Sequence, residues 1–228
     1  GELFEVLIRA ETRFHLASIT KTFVGASAAL LAETGRLDLD EDARRFVPEL
    51  RLDHKIPIRH LLGMTSGIRD YPAMRQLSGV FHDHARTFDD ALDLTFHQRR
   101  LSFPVGERFV YGNGNFVLAG LIIERCTGKS FETFLADEIL GRLGMSDTRV
   151  RSNPDDVAEG LANSYLPPRD GRWRKSVAIA SFGAHGHLIS NVLDLVRWQR
   201  MFRAGGIGGI PIVRRMIVDS LRYWVQEM

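Results

Sequence analysis

Ser18 and Lys21, three positions apart, are the residues whose types and spacing point most directly to chemistry. Apolar residues recur after them at spacings of three and four, which predicts a helix over residues 19–33. Side chains three apart share one helix face, so the Lys21 amine can reach the Ser18 hydroxyl. A serine hydroxyl needs an adjacent base, and the N–H groups at a helix start favour a developing oxyanion. The pair therefore indicates nucleophilic catalysis by Ser18, although an exposed helix start would also accommodate it.

The route by which Ser18 loses its proton has two solutions. A lysine amine becomes a base only where burial or nearby positive charge disfavours its charged form, and otherwise it can stabilise a phenolate that acts as the base. Tyr111 supplies a candidate phenol, two residues before Asn113 on a glycine-rich loop. Residues two apart in extended backbone point to one side, so Asn113 could hold a substrate carbonyl or orient Lys21. By itself this loop also fits an ordinary Asn-Gly turn with a packing tyrosine.

The elements that must position these residues are mainly helical, with few strands. Ser130 is a good N-cap for one of the helices, and Gly35 and Gly128 fit helix ends. The prediction consists of a strand over 3–8, helices over 19–33, 88–99, 115–126, 131–142, 191–203 and 212–226, short helices up to about 70, an irregular loop over 70–87, and turn-rich chain over 145–185.

Composition and charge narrow the class of protein. The 228 residues suffice for one sizeable core, and 30 basic residues interspersed with 28 acidic ones leave a net charge of only +2. We therefore expect no nucleic-acid partner and no membrane partner. No apolar run is long enough to span a membrane, and no basic n-region of a signal peptide is visible. The single cysteine, Cys126, lies in an apolar helical pattern and is expected to be a small buried residue.

Several segments, taken in order, resemble the serine β-lactamase and penicillin-binding-protein superfamily, in the branch of class C β-lactamases, D-alanyl-D-alanine carboxypeptidases and related esterases. The Ser-x-x-Lys and Tyr-x-Asn motifs carry the likeness, together with their surroundings. The matching segments are residues 14–23 (FHLASITKTF), 58–62 (IRHLL), 65–68 (TSGI), 104–107 (PVGE), 118–124 (LAGLIIE), 143–148 (LGMSDT), 187–190 (HLIS) and 194–195 (DL).

The resemblance implies an α/β (α+β) fold of the β-lactamase/transpeptidase type, mostly its helical lobe with part of the antiparallel sheet. It implies a serine hydrolase that acts through an acyl-enzyme on a β-lactam, ester or D-Ala-D-Ala-type peptide. Ser18, Lys21 and Tyr111 would be catalytic and Asn113 substrate-binding. A small-molecule or peptide substrate is implied, with no cofactor and no metal. The resemblance also suggests a periplasmic or secreted location, and oligomeric state stays open.

Two departures from the family pattern stand out. The third motif, Lys-Thr-Gly or His/Trp-x-Gly on a strand, has no counterpart, since Thr127-Gly128-Lys129 is a helix end. We therefore expect a single domain over residues 1–228 that lacks the N-terminal strand and the C-terminal strands, and weak or no activity from this chain alone. His187 stands where the family usually has glycine, and it is expected to crowd a backbone position.

Two rival functions belong to other classes. A non-catalytic relative would keep the fold and bind peptidoglycan-like or peptide ligands without a covalent adduct. A zinc hydrolase would use the histidine pairs His82/His84 and His185/His187, although these lack the spacing of a persuasive site. The acidic run at residues 38–42 is interpreted as a solvated helix start rather than a metal site.

Overall fold

The computed structural model describes residues 7–79, 88–151, 158–169, 171–176 and 186–212. The helices are α1 (Thr20–Glu33), α2 (Ile58–Leu62), α3 (Tyr71–Leu77), α4 (Phe88–Phe96), α5 (Asn113–Thr127), α6 (Phe131–Leu135), α7 (Gly141–Leu143) and α8 (Val192–Ala204). Short 3₁₀ turns cover Ala17–Ile19 and Ala43–Arg45. The strands are β1 (Phe14–His15), β2 (Arg149–Val150), β3 (Ser164–Arg169), β4 (Arg172–Ser176) and β5 (Leu188–Ser190).

Helices α1 and α5 form the centre of the core. Most residues of both helices are buried, and α5 contacts α1, α2, α4 and α6. A helix that is apolar on nearly all sides is stable only when other elements surround it, and these two helices satisfy that condition. Helix α8 covers α1 from another direction, where Trp198 stacks on Phe23 with ring centroids 4.0 Å apart. The start of each central helix is therefore held in a rigid setting.

A small antiparallel sheet in the order β1-β5-β2 supports the start of α1. Strand β1 comes just before α1 in the chain and pairs with β5, with Phe14 opposite Ser190 and His15 opposite Ile189. The ladder continues past the strand, because the backbone N–H of Leu16 donates to the carbonyl of Leu188 over 2.8 Å. The β3–β4 hairpin forms a separate two-stranded sheet.

Three of the predicted helices are confirmed within two residues, and a fourth is confirmed with a shorter end. The helix predicted over 19–33 is α1, that over 115–126 is α5, that over 191–203 is α8, and that over 88–99 is α4, which ends three residues early. Ser130 caps α6 as expected, accepting from the backbone N–H of Thr133 over 3.1 Å. The helix predicted over 131–142 does continue to Leu143, but its middle, Ala136–Leu140, is π-helical.

The loop predicted over residues 70–87 is wrong in its first part, which forms α3. The strand predicted over 3–8 and the helix predicted over 212–226 lie almost entirely outside the described residues. Leu7 and Ile8, which are described, are exposed and not in a strand, and Ile212 is buried but not helical.

Two interpretations of single features can be compared with the structure. Cys126 is partly exposed rather than buried, and its thiol donates to the carbonyl of Arg36 over 3.2 Å. Its expected burial was therefore wrong, because it lies at the end of α5, where the apolar pattern meets the surface. The acidic run is a solvated helix start as predicted: Asp42 caps the 3₁₀ turn at Ala43–Arg45 and pairs with Arg44.

Candidate active site

Ser18 lies in the 3₁₀ turn that leads directly into α1, and its side chain is exposed. The residue before it, Ala17, has φ of +46°. A left-handed conformation costs a non-glycine residue about 1–2 kcal/mol, so the surrounding ladder must hold it in place. The Leu16–Leu188 backbone bond on one side, and the backbone N–H of Leu188 donating to Thr20 Oγ1 over 3.2 Å on the other, provide that hold. This backbone conformation exposes the Ser18 side chain to solvent at the start of α1.

Lys21 is buried, with only 6% of its surface exposed, one turn into α1. Its Nζ lies 3.1 Å from Ser18 Oγ and donates to Asn113 Oδ1 over 2.9 Å. The amine also lies 5.0 Å from the ring centroid of Tyr111 and 5.9 Å from that of Phe116. These contacts hold the amine in one position, between the nucleophile and the amide.

Tyr111 completes the group from the other side. Its Oη lies 2.6 Å from Ser18 Oγ, and either hydroxyl can be the donor. The tyrosine side chain is 46% exposed, so the hydroxyl pair faces solvent rather than the core. Gly112 is extended (φ −154°, ψ +125°) and buried, and α5 begins at Asn113. This turn directs the phenol to Ser18 while the following amide meets Lys21.

The structure thus brings together all four residues singled out from the sequence. Ser18 and Lys21 come from one helix start, and Tyr111 and Asn113 come from the loop that enters another. Chemically, the arrangement can pass a proton from Ser18 to the phenol or the amine, and a hydroxyl at a helix N-terminus has backbone donors nearby for an oxyanion.

Sequence reasoning gave no role to the segment 65–70, which holds the Tyr111 loop. Ser66 Oγ donates to Asn115 Oδ1 over 2.5 Å, and Asn115 Nδ2 donates to the carbonyl of Gly112 over 3.2 Å. Asp70 accepts from the backbone N–H of Asn113 over 2.7 Å. Burial raises the pKa of the Asp70 carboxyl, and its bonds from backbone N–H groups oppose that rise. The signal that could have pointed here was the match at residues 65–68, which carried no assigned chemistry.

Of the four histidines considered as zinc ligands, only His187 lies within the described residues. His82, His84 and His185 lie outside the described residues. His187 is half-buried, and its carbonyl accepts from the backbone N–H of Arg151 over 2.9 Å, which extends the β2–β5 ladder. Burial lowers the pKa of His187 to about 4, and the charges of His15 and Arg151 add to the shift. Within the described part of the chain, no three potential ligands lie close enough to hold a metal ion.

In the same part of the chain, no helix has the length and apolar character needed to cross a bilayer.

The site has a serine at the start of a buried helix, a lysine and a tyrosine within hydrogen-bond distance of its hydroxyl, and a small antiparallel sheet that supports the helix start. This combination is typical of proteins with the mixed helix-and-sheet β-lactamase/transpeptidase fold. Comparison with protein families agrees, since the Beta-lactamase family model matches residues 5–226. The chain belongs to the β-lactamase family, and the predicted fold class and superfamily resemblance are confirmed.

Solved structures and curated relatives give the degree of similarity. A penicillin-binding protein from Bacillus halodurans superposes with a TM-score of 0.80 at 25% identity, over 92% of this chain and 66% of that one. The D-amino acid amidase of Ochrobactrum anthropi SV3, complexed with L-phenylalanine amide, gives a TM-score of 0.75 at 27% identity, over 92% and 61%. Penicillin-binding protein 4* of Bacillus subtilis (strain 168) is 31% identical over 154 residues, 66% of this chain. The aligned chain spans only 34% of the length of that last relative.

Proposed function

We propose that this chain is a serine hydrolase that forms an acyl-enzyme at Ser18 on a β-lactam, an ester or a D-Ala-D-Ala-type peptide. The observation that carries the proposal is the convergence of Lys21 Nζ and Tyr111 Oη on Ser18 Oγ, at 3.1 Å and 2.6 Å. A nucleophile and its base must lie within about 2.6–3.2 Å for direct proton transfer, and both distances fall in that range.

The proposed reaction has two steps, each with its proton accounted for. Ser18 Oγ attacks the substrate carbonyl carbon while its proton passes to Tyr111 or Lys21, and the carbonyl becomes an oxyanion near the backbone N–H of Ser18. As the intermediate collapses, Tyr111 Oη gives a proton to the leaving amine or alkoxide and, where Lys21 took the Ser18 proton, recovers it from Lys21. Water then attacks the acyl-enzyme and gives one proton to the same group, which passes it to Ser18 Oγ as the acyl bond breaks, so that Ser18 returns as the free hydroxyl.

Two proton routes fit the contacts of Lys21. A neutral amine would donate one N–H to Asn113 Oδ1 and accept the Ser18 proton with its lone pair. A charged amine would donate to both oxygens and leave the Ser18 proton to a Tyr111 phenolate at 2.6 Å. In either route Asn113 accepts from the amine, and its side chain is available to position the acyl group of the substrate.

The named relatives support an amide or peptide substrate. The amidase of Ochrobactrum anthropi was solved with L-phenylalanine amide, and the other two proteins are described as penicillin-binding. Amides, esters and lactams present the same reacting carbonyl to a nucleophile, so the same attack by Ser18 applies to each class.

Covalent labelling tests the proposal directly. The protein is treated with a fluorophosphonate or a fluorescent penicillin, and the modified peptide is identified by mass spectrometry. We expect labelling on Ser18 that Ser18→Ala abolishes. Tyr111→Phe should slow labelling about 10²- to 10⁴-fold, because it removes a proton-transfer group. Tyr165→Phe is the matched control, since Tyr165 is also exposed (57%) but lies on the β3–β4 hairpin, and its rate should equal that of the wild type.

Other outcomes identify the rival functions. Labelling that survives Ser18→Ala would refute the nucleophile assignment. Saturable binding of penicillin with no adduct would favour a non-catalytic binding protein. Hydrolysis that a chelator abolishes and zinc restores would favour a metal-dependent hydrolase.

A further inference from the structure

Asp70 occupies the N-cap position of α3 but its carboxylate serves another helix. Aspartate at an N-cap usually accepts from a backbone N–H in the first turn of its own helix. Here the described residues of α3 show no such side-chain bond. Instead the carboxylate accepts from the backbone N–H groups of Asn113 and Gly114, at the start of α5. The side chain therefore links the segment 65–70 to the loop that carries half of the candidate site.

The same carboxylate also contacts the Asn113 side chain. Asp70 Oδ1 accepts from the Asn113 backbone N–H over 2.7 Å, and Asp70 Oδ2 lies 3.4 Å from Asn113 Nδ2. On its other side, the Asn113 amide presents Oδ1 to Lys21 Nζ at 2.9 Å. An ionised carboxylate only accepts hydrogen bonds, so it favours the amide orientation that turns the NH₂ towards itself and the oxygen towards the lysine.

From this chain of contacts we infer that Asp70 is a positioning residue, which sets the orientation of the Asn113 amide and through it the position of the Lys21 amine beside Ser18. The inference rests on the proposed function and names a residue of the same site. Among the described residues the hydrogen bonds of Asp70 reach Asn113 and Gly114 and not Ser18, and its charge also acts on Lys21.

The residues around this contact are closely packed, which keeps the Asp70 carboxylate and the Asn113 amide next to each other. A Cβ added at Gly112 would lie 3.0 Å from Asn115 Nδ2, tighter than an ordinary contact, and one at Gly114 would lie 3.5 Å from Thr95 Oγ1. The Ser66–Asn115–Gly112 bonds hold the same loop from inside the core. The backbone therefore has little room to follow a change at Asp70, and the Asn113 side chain must respond instead.

The isosteric change Asp70→Asn makes the inference testable. If the new amide oxygen keeps the bond from the Asn113 backbone N–H, its NH₂ faces the Asn113 NH₂, and two donors cannot bond. Rotating the Asn113 amide relieves the conflict but turns its NH₂ towards Lys21, which loses the Asn113 oxygen as an acceptor. We expect the rate constant of covalent labelling at Ser18 to fall about 10- to 100-fold.

A double-mutant cycle separates positioning from a general structural effect. Asp70→Asn is measured in the wild type and in Asn113→Ala, and coupled residues give non-additive effects. If Asp70 acts through Asn113, the change slows labelling in the wild type and has no further effect in Asn113→Ala. Asp42→Asn is the matched control, since Asp42 also accepts from a backbone N–H (Arg44, 3.2 Å) but caps the 3₁₀ turn at Ala43–Arg45, away from the candidate site. Its labelling rate should equal that of the wild type.

An NMR measurement tests the contact without any activity. The Asn113 side-chain NH₂ signals are assigned by their loss in Asn113→Ala, and they should shift in Asp70→Asn but not in Asp42→Asn. If Asp70→Asn does not fold, as judged by its melting curve, Asp70→Ser replaces it in both experiments. A serine hydroxyl can still cap α3, but it offers no oxygen at the position of Asp70 Oδ2 to the Asn113 amide.

The outcomes distinguish this inference from the proposed function. Absence of Ser18 labelling in the wild type would reject the proposed function, and the NMR shift would still decide the contact. Wild-type labelling with an unchanged rate in Asp70→Asn would overturn the inference alone. An equal loss of rate in the Asn113→Ala background would also overturn it, because Asp70 would then act by another route.

Discussion

The half-buried His187 should make the protein less stable in mild acid, and the size of the effect follows from its pKa. Burial, then the positive charges of His15 and Arg151, lower that pKa from 6.5 to about 4 in the folded protein. The unfolded chain therefore binds a proton in a pH range where the folded chain does not. The stabilisation is present in full above pH 6.5 and is lost as the pH falls from there towards 4. A shift of this size corresponds to about 3 kcal/mol at 1.36 kcal/mol per pH unit.

Urea unfolding at pH 7.5 and pH 4.5 measures this loss. Burial also lowers the pKa of His15 and of His60, and these residues lose stabilisation over the same range, so the wild-type loss is a sum. His187→Gln removes only the contribution of His187, and we expect its loss of unfolding free energy to be about 2–3 kcal/mol smaller than that of the wild type. His54→Gln changes an exposed histidine and should behave as the wild type does.

The reasoning fails if the wild type and His187→Gln lose the same unfolding free energy between these two pH values. It also fails if His54→Gln shows the larger effect, because the shift would then not come from burial at His187. A direct titration of His187 by NMR provides an independent check, with a midpoint expected near pH 4.

Two further changes test the packing around the site. Gly67→Ala should lower the free energy of unfolding by about 3 kcal/mol or more, because Gly67 has φ +77° and a Cβ there would lie 2.2 Å from the Phe103 carbonyl. Gly35→Ala is its control in thermal melts: φ is +69° but no atom lies within 4 Å, so only the conformational cost of about 1–2 kcal/mol is expected. Trp198→Ala should cost about 3–5 kcal/mol in urea unfolding, since its ring is buried and stacks on Phe23; a cost below 1 kcal/mol would contradict the packing described for α8.

Local periodicity was sufficient to predict the long helices, because their patterns depend on neighbours a few residues away. The limits of α1, α5 and α8 agree with the sequence to within two residues. Helix α3 was not predicted from the sequence, and it carries Pro72 in its first turn. Proline is tolerated in the first turn of a helix, where its missing N–H would have no partner in any case.

The π-helical stretch Ala136–Leu140 and the left-handed Ala17 also had no local signal. Both conformations are less favourable than the α-helix for an isolated chain, so they persist only where packing and neighbouring strands impose them. At Ala17 the neighbour is β5, whose sequence lies some 170 residues further along the chain.

The sequence by itself determined the one relation of the candidate site that is local: Ser18 and Lys21 share a face because a helix places residues three apart side by side. The meeting of this pair with Tyr111 and Asn113, and the hold of Asp70 on Asn113, were decided only by the tertiary structure. Segments about 40 to 90 residues apart in the chain have no fixed relation until helices α1 and α5 pack against each other. Burial then fixes the side chains in one arrangement, which no periodicity along the chain encodes.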